Sequence, residues 1–233
     1  IRDAVPHGEE RSSVASVGSG GPGDPAPLHV GMVGRISPWK GQDVFLRAFG
    51  QAFSGDGARA SIVGSPLFGE EDFDAEIQAL AASLGLGGRV TFTGFRDDVA
   101  AELRTMDVLV HASVIPEPFG LVVVEGMAAG LAVIASDAGG PSEVVEHGVT
   151  GLLYPPGDVD ALAAALRQAA SDPDLRRRLG QAARRKAEEF RPAIVNPQVT
   201  EFYRQVLAAP HVTVGRRLRA ALRRRRRRGW RPR

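Results

Sequence analysis

Glu117 and Glu125 bracket the most informative stretch of this chain, Glu117-Pro118-Phe119-Gly120-Leu121-Val122-Val123-Val124-Glu125-Gly126-Met127-Ala128-Ala129-Gly130. Pro118 suits the first position of a helix, where its missing N–H needs no partner, so a helix is predicted over 118–129. The N–H groups of Phe119, Gly120 and Leu121 then lie unpaired at the positive end of the helix dipole. With no side chain at Gly120 a ligand can approach the backbone, and the turn suits a phosphate or sugar hydroxyls. Glu125 falls among Val122, Val123, Val124 and Met127, where a carboxylate without donors costs several kcal/mol. Ribose hydroxyls would satisfy it, and so would an arginine in a buried ion pair. On a helix rising about 1.5 Å per residue the two carboxylates stand roughly 12 Å apart. That is the span from a sugar to a ribose across a diphosphate, so one ligand could touch both.

A second stretch, Gly34-Arg35-Ile36-Ser37-Pro38-Trp39-Lys40-Gly41-Gln42-Asp43, joins a predicted strand to a predicted helix. The helix start offers free amides, and Arg35 and Lys40 offer charge-assisted donors, a combination that suits a diphosphate. A solvated surface loop also carries such cations; the position after a strand narrows the choice without closing it. The stretch is neither a Walker A loop nor a Gly-x-Gly-x-x-Gly fingerprint. Of the 29 basic residues only Lys40 and Lys186 are lysine. Against that arginine bias Lys40 either marks a site needing a compact ammonium or is a chance retention.

Short β-branched runs alternating with helical segments would position these residues, the pattern of βαβ units and a parallel sheet. Strands are predicted at 29–33, 60–63, 90–93, 108–111, 132–135 and 151–154. Helices are predicted at 41–53, 72–84, 98–106, 118–129, 141–146, 158–171, 173–190 and 196–208. The fold class is therefore α/β, a Rossmann-like, doubly wound, mostly parallel six-stranded sheet with helices on both faces, further C-terminal helices and a basic tail. In such sheets ligands bind at the carboxyl ends of the strands, and both stretches follow strand ends.

The predicted organisation has three parts. Residues 1–27, rich in glycine and turn formers, read as a linker or the remnant of an upstream domain. Residues 28–209 form the ligand-binding domain, and 210–233 an Arg-rich tail, predicted to be disordered. The chain starts at Ile1, so an upstream extension is expected. Eleven arginines and no acid lie between Arg216 and Arg233; removing them from a net charge of +2 leaves −9 for the rest. An acidic body argues against a nucleic-acid-binding domain. The sequence has no cysteine, which removes disulfides and thiolate metal sites and fits a reducing compartment. No apolar run reaches the roughly 18 residues of a membrane span.

The ordered motifs go further. They are Gly34-Arg35 with Lys40-Gly41, Val90-x-Phe92-x-Gly94, Glu117-Pro118-Phe119-Gly120 with Glu125, and Ala128-Ala129-Gly130. After these come Gly139-Gly140-Pro141-x-Glu143, Gly148-x-Thr150-Gly151-Leu152-Leu153 and Pro156-Gly157-Asp158. With them the stretch from about Leu28 to Leu207 resembles the C-terminal domain of GT-B-fold, family 4 retaining glycosyltransferases, the glycosyl transferases group 1. The resemblance implies that Arg35 and Lys40 hold the donor's diphosphate and stabilise the departing nucleotide, with Glu117 on donor-sugar hydroxyls. It puts the Phe119–Leu121 amides on sugar or phosphate and Glu125 on the ribose. The backbone at Gly94, Phe95 and Arg96 would line the base pocket, with Gly64 nearby, and Gly34 is a further donor-binding position. No metal and no cofactor beyond the nucleotide-sugar substrate is implied. One departure is His111-Ala112-Ser113 where the family usually has Pro-Ser; His111 is either a site residue or a packed strand-end histidine.

The implied protein is the donor-binding half of a hexosyltransferase, whose partner is an N-terminal Rossmann-like domain that carries the acceptor site. The fragment by itself is then inactive. A non-catalytic nucleotide-sugar-binding or scaffold module is the alternative, and an epimerase of related fold ranks below both. The implied location is cytoplasmic, peripheral at the inner face of the membrane if the run Arg216–Arg233 meets anionic lipid, each cation contributing about 1 kcal/mol. A solvated tail and, less favoured, a nucleic-acid contact are its other readings.

Overall fold

The structure, a computed structural model, describes residues 27–55 and 57–208. The expected linker and the arginine tail thus lie outside the described residues, apart from residue 27. Six strands run in chain order: β1 (Leu28–Val33), β2 (Ala58–Val63), β3 (Val90–Gly94), β4 (Val108–His111), β5 (Ala132–Ser136) and β6 (Leu152–Tyr154). They form one sheet in the order β3-β2-β1-β4-β5-β6, every neighbouring pair parallel. This is the Rossmann-like α/β fold read from the sequence, and the order reverses direction between β1 and β4, where such folds open a crevice.

Period-two alternation explains why both sheet faces are covered. Val108 and Val110 of β4, with Ala132 and Ile134 of β5, enter one core beside Phe45, Phe49 and Leu166. Leu109, Val133 and Ala135 point the other way, into a core with Val123, Met127 and Ala183. The first face is covered by α1 (Gln42–Ala52), α2 (Glu71–Ser83) and α6 (Val159–Ser171); the second by α4 (Leu121–Ala128) and α7 (Pro173–Ala187). Two short helices, α3 (Val99–Arg104) and α5 (Gly140–Val144), complete this unit. Asp98, Asp158 and Asp172 cap α3, α6 and α7, each accepting an amide hydrogen from the first turn.

Most element boundaries fall within one to three residues of expectation, and two helix starts differ by three or more. Helix α4 starts at Leu121 rather than Pro118, with Gly120 as its N-cap at φ 77°. The cause is tertiary. Helix α8 (Pro192–Ala208) starts before the expected position at 196 and contains Pro197. Pro192 suits the helix start, whereas Pro197, the sixth residue, lacks the N–H that would bond the carbonyl of residue 193 and interrupts the ladder there. This helix lies in a second compact unit that begins at Pro192. It exposes Ile194, Val199, Phe202, Tyr203, Val206 and Leu207. None of the helices among the described residues is long and apolar enough to cross a membrane.

Candidate functional site

The ends of β1, β2 and β3 meet through their backbones. The Gly34 N–H donates to Val63 O and the Gly64 N–H to Gly94 O, each at 2.9 Å. A Cβ on Gly64 would lie 2.0 Å from Gly34 O, and its φ of 139° is one that side chains rarely adopt, so only glycine fits there. Phe95 follows directly, its side chain 70% exposed. Arg96 is committed elsewhere, with Nε 3.0 Å from a Glu102 carboxylate oxygen. Gly34, Gly64, Gly94 and Phe95 are thereby brought to one corner, largely as backbone.

The loop after β1 holds the two expected cations. Fully buried Gln42 ties the loop down: its amide donates to Arg35 O at 2.9 Å and accepts from the Ser37 N–H at 3.4 Å. The Lys40 Nζ lies 4.3 Å from the centroid of the Trp39 ring, and the Arg35 Cζ 5.9 Å from the same ring. One aromatic side chain thus stands against both cations, each contact contributing about 0.5–1 kcal/mol. The Arg35 guanidinium is also 5.1 Å from the Phe68 ring and 3.6 Å from Glu70 Oε2. Ser37 Oγ donates to the other Glu70 oxygen at 2.6 Å, while Glu70 Oε2 is buried without a hydrogen bond.

Lys40 leads to the densest part of the site. Its ammonium pairs with Glu117 Oε1. On the other carboxylate oxygen, Oε2, converge the His111 Nε2 and, at 3.2 Å, the Ser113 Oγ. An ionised carboxylate only accepts, so the imidazole hydrogen is on Nε2. Behind the ring, Ser136 Oγ lies 3.2 Å from Nδ1. Burial is the largest single influence on Glu117 and pushes its pKa up. The hydrogen bonds from His111 and Lys40, together with their charges, outweigh it and bring the pKa down to about 2. Glu117 is therefore ionised throughout the physiological range.

The backbone around Glu117 explains the late start of α4. Glu117 forms a bridge with Gly139, and its carbonyl accepts from the Gly140 N–H at 2.7 Å. A Cβ would come within 2.3 Å of Glu117 O at Gly139, and within 2.3 Å of Phe119 Cα at Gly140. The close approach pins 117–119 against Gly139 and Gly140 and leaves Pro118 outside the helix, correcting the expected helix start. The amides that head the first turn are those of Leu121 and Val122, with Phe119 and Gly120 in the approach to it. Within α4, Glu125 is half-buried, and burial raises its pKa. Among the described residues no arginine or hydrogen-bond donor reaches its carboxylate, so the ion pair considered above is not formed there.

Side-chain contacts thus join Arg35, Lys40 and Glu117, and the start of α4 follows Glu117 in the chain. Trp39, Gln42, Glu70, Ser113 and Ser136 belong to this network but were not singled out in the sequence. Ser113 could have been found by its place two residues after His111. Glu70 and Ser136 carry no local signal.

Known proteins match the chain at the level of family and fold. The family model described as glycosyl transferases group 1 matches residues 24–186. The D-inositol 3-phosphate glycosyltransferase of Rhodococcus opacus (strain B4) is 39% identical over 173 residues, 72% of this chain and 38% of that protein. The crystal structure of Anabaena HepE in complex with UDP-glucose is 37% identical with a TM-score of 0.74, covering 77% of this chain and 49% of that one. The C-terminal domain of the Francisella tularensis group 1 family protein LpcC is 30% identical with a TM-score of 0.64, covering 69% of this chain and 84% of that one. The chain accordingly spans less than half the length of the first two.

Proposed function

This chain belongs to the glycosyl transferases group 1, and from that premise we propose that it is the donor-binding half of a retaining, family 4 hexosyltransferase. The observation that carries the proposal is the linked set Arg35–Trp39–Lys40–Glu117 at the carboxyl ends of the strands. It joins two cations and an ionised carboxylate where an α/β sheet opens its ligand crevice. UDP or UDP-glucose in the related HepE structures supports a nucleotide sugar as the ligand class.

In this proposal the diphosphate lies against Arg35 and Lys40. As the bond from the anomeric carbon to the phosphate oxygen breaks, negative charge grows on the leaving diphosphate. Two preorganised cations stabilise that charge without a metal ion. Lys40 spends one of its three N–H donors on Glu117, leaving two for phosphate oxygens. Glu117 Oε1 keeps one acceptor direction for a sugar hydroxyl. Glu125, without a protein donor, takes the ribose hydroxyls, and the Gly34–Gly64–Gly94 corner with Phe95 and Arg96 receives the base. The amides of Phe119, Gly120 and Leu121 face sugar or phosphate.

An N-terminal Rossmann-like domain supplies the acceptor site, so the chain by itself binds donor and has no meaningful turnover. The run Arg216–Arg233 is proposed as a contact with an anionic membrane surface. Calorimetric titration of the chain with UDP-, GDP- and ADP-sugars tests the proposal. Saturable binding of one base class is expected. Absence of binding to all three, or robust transfer by the chain alone, overturns it.

A further inference from the structure

Two buried histidines lie at opposite ends of the neighbouring strands β1 and β4 and are used differently. His29, in β1, bonds Thr105 O at 2.6 Å through Nδ1 and Ser61 Oγ at 2.9 Å through Nε2. Both partners are part of the scaffold, and the ring only fills and ties the core. His111, at the end of β4 and 3% exposed, is held from behind by Ser136 Oγ and directs its Nε2 at the carboxylate of Glu117. The Tyr154 hydroxyl donates to the His111 carbonyl at 3.5 Å, so adjacent strands β5 and β6 both brace the residue.

The consequences follow from counting lone pairs. An ionised carboxylate has about two acceptor directions on each oxygen. Glu117 Oε2 accepts from His111 and Ser113, which fills it; Oε1 accepts from Lys40, which leaves one direction open. Turning the ring over would present a carbon to the carboxylate and leave its charge short of a donor. The ring orientation therefore decides which oxygen faces outward. Because Lys40 is anchored on that oxygen, it also decides where the ammonium stands.

We infer that His111 is a positioning residue that, through its Nε2–H, fixes the Glu117 carboxylate and hence Lys40 in the geometry that receives a nucleotide diphosphate sugar. The inference rests on the functional reading above for its ligand, and on side-chain geometry for the positioning itself. The titratable groups that face Glu117 are Lys40, on the loop after β1, and His111, on β4. The low Glu117 pKa is consistent with this arrangement, since both groups contribute to it.

Three variants of the full chain separate positioning from packing. His111→Gln keeps an N–H near the Nε2 position, His111→Asn places its amide only near Nδ1, and His111→Leu removes all donors. The readouts are the Glu117 carboxyl titration by carbon NMR, and calorimetric affinity for UDP-glucose, GDP-mannose and ADP-glucose. In the Asn and Leu variants the titration is expected to rise by about one pH unit or more. Affinity is expected to fall about tenfold, the ratio carried by one hydrogen bond to a charged group. The Gln variant should stay near the unaltered chain in both, and the Gln–Asn contrast serves if the Leu variant does not fold. Unchanged titration and affinity in the Asn variant overturn the inference. If the unaltered chain binds none of the three nucleotide sugars, the functional reading fails, and the carboxyl titration still decides whether His111 holds Glu117.

Discussion

Two corners at the carboxyl ends of the strands are built by opposite means. Around Lys40 the structure uses side chains: two cations against Trp39, a carboxylate, an imidazole and two serine hydroxyls, linked in series. Around Gly64 it uses the absence of side chains, so that three strand ends touch backbone to backbone. The first corner is set by charge and responds to charge removal and to pH. The second is set by space and responds to a single added carbon. A substitution that affects binding in one corner should affect folding in the other.

The largest expected effect tests the charged corner. If the proposed N-terminal domain is supplied, Lys40→Ala should lower the transfer rate by about 10²–10³-fold, the range for removing one group that stabilises developing charge. Circular dichroism should show the fold retained. A rate within twofold of the unaltered protein would remove Lys40 from the mechanism.

The spatial corner comes next. Gly64→Ala puts a carbon 2.0 Å from Gly34 O at a φ of 139°, so the strand ends must separate. Overpacking and backbone strain together should cost about 2–4 kcal/mol, read as a lower urea midpoint at unchanged slope. A stability equal to that of the parent chain would show that the corner is not closed as described.

A smaller effect sharpens the comparison through pH. Glu117 titrates at about 2 in the fold against an ordinary 4.5, so its pairs contribute fully above pH 4.5. That contribution is lost as pH falls from 4.5 through about 2. Glu117→Gln should flatten this acid limb of the stability profile and leave the Gly64 corner intact.

The smallest effect has the opposite sign. Burial raises the Glu125 pKa, so the folded chain holds that proton more tightly than the unfolded one. Its contribution is favourable in acid and is lost as pH rises past the ordinary value. Glu125→Gln should therefore stabilise the chain at pH 7, by less than about 1 kcal/mol because solvent screens the half-buried carboxylate. Nucleotide-sugar affinity should fall in the same variant. Stability that drops instead would mean that the carboxylate has a protein partner.

Much of the fold was legible because its signals are local. The alternation in Val108-Leu109-Val110 and in Ala132-Val133-Ile134-Ala135 places side chains on two faces whatever the neighbouring strands are. A strand followed by a loop with Arg35 and Lys40 puts two cations at a strand's carboxyl end before any contact is known. The sequence by itself thus determined the sheet, its layering and the end at which charged residues gather. Only the tertiary structure decided how those residues are engaged. Helix α4 starts at Leu121 because Gly139 and Gly140, at the start of α5, come too close to 117–119 for the helix to begin at Pro118. His111 faces Glu117 because Ser136, on the neighbouring strand, lies against the other side of its ring. The Ser136 contact and the close approaches of Gly139 and Gly140 join separate strands and loops, and no local pattern specifies a distance between them.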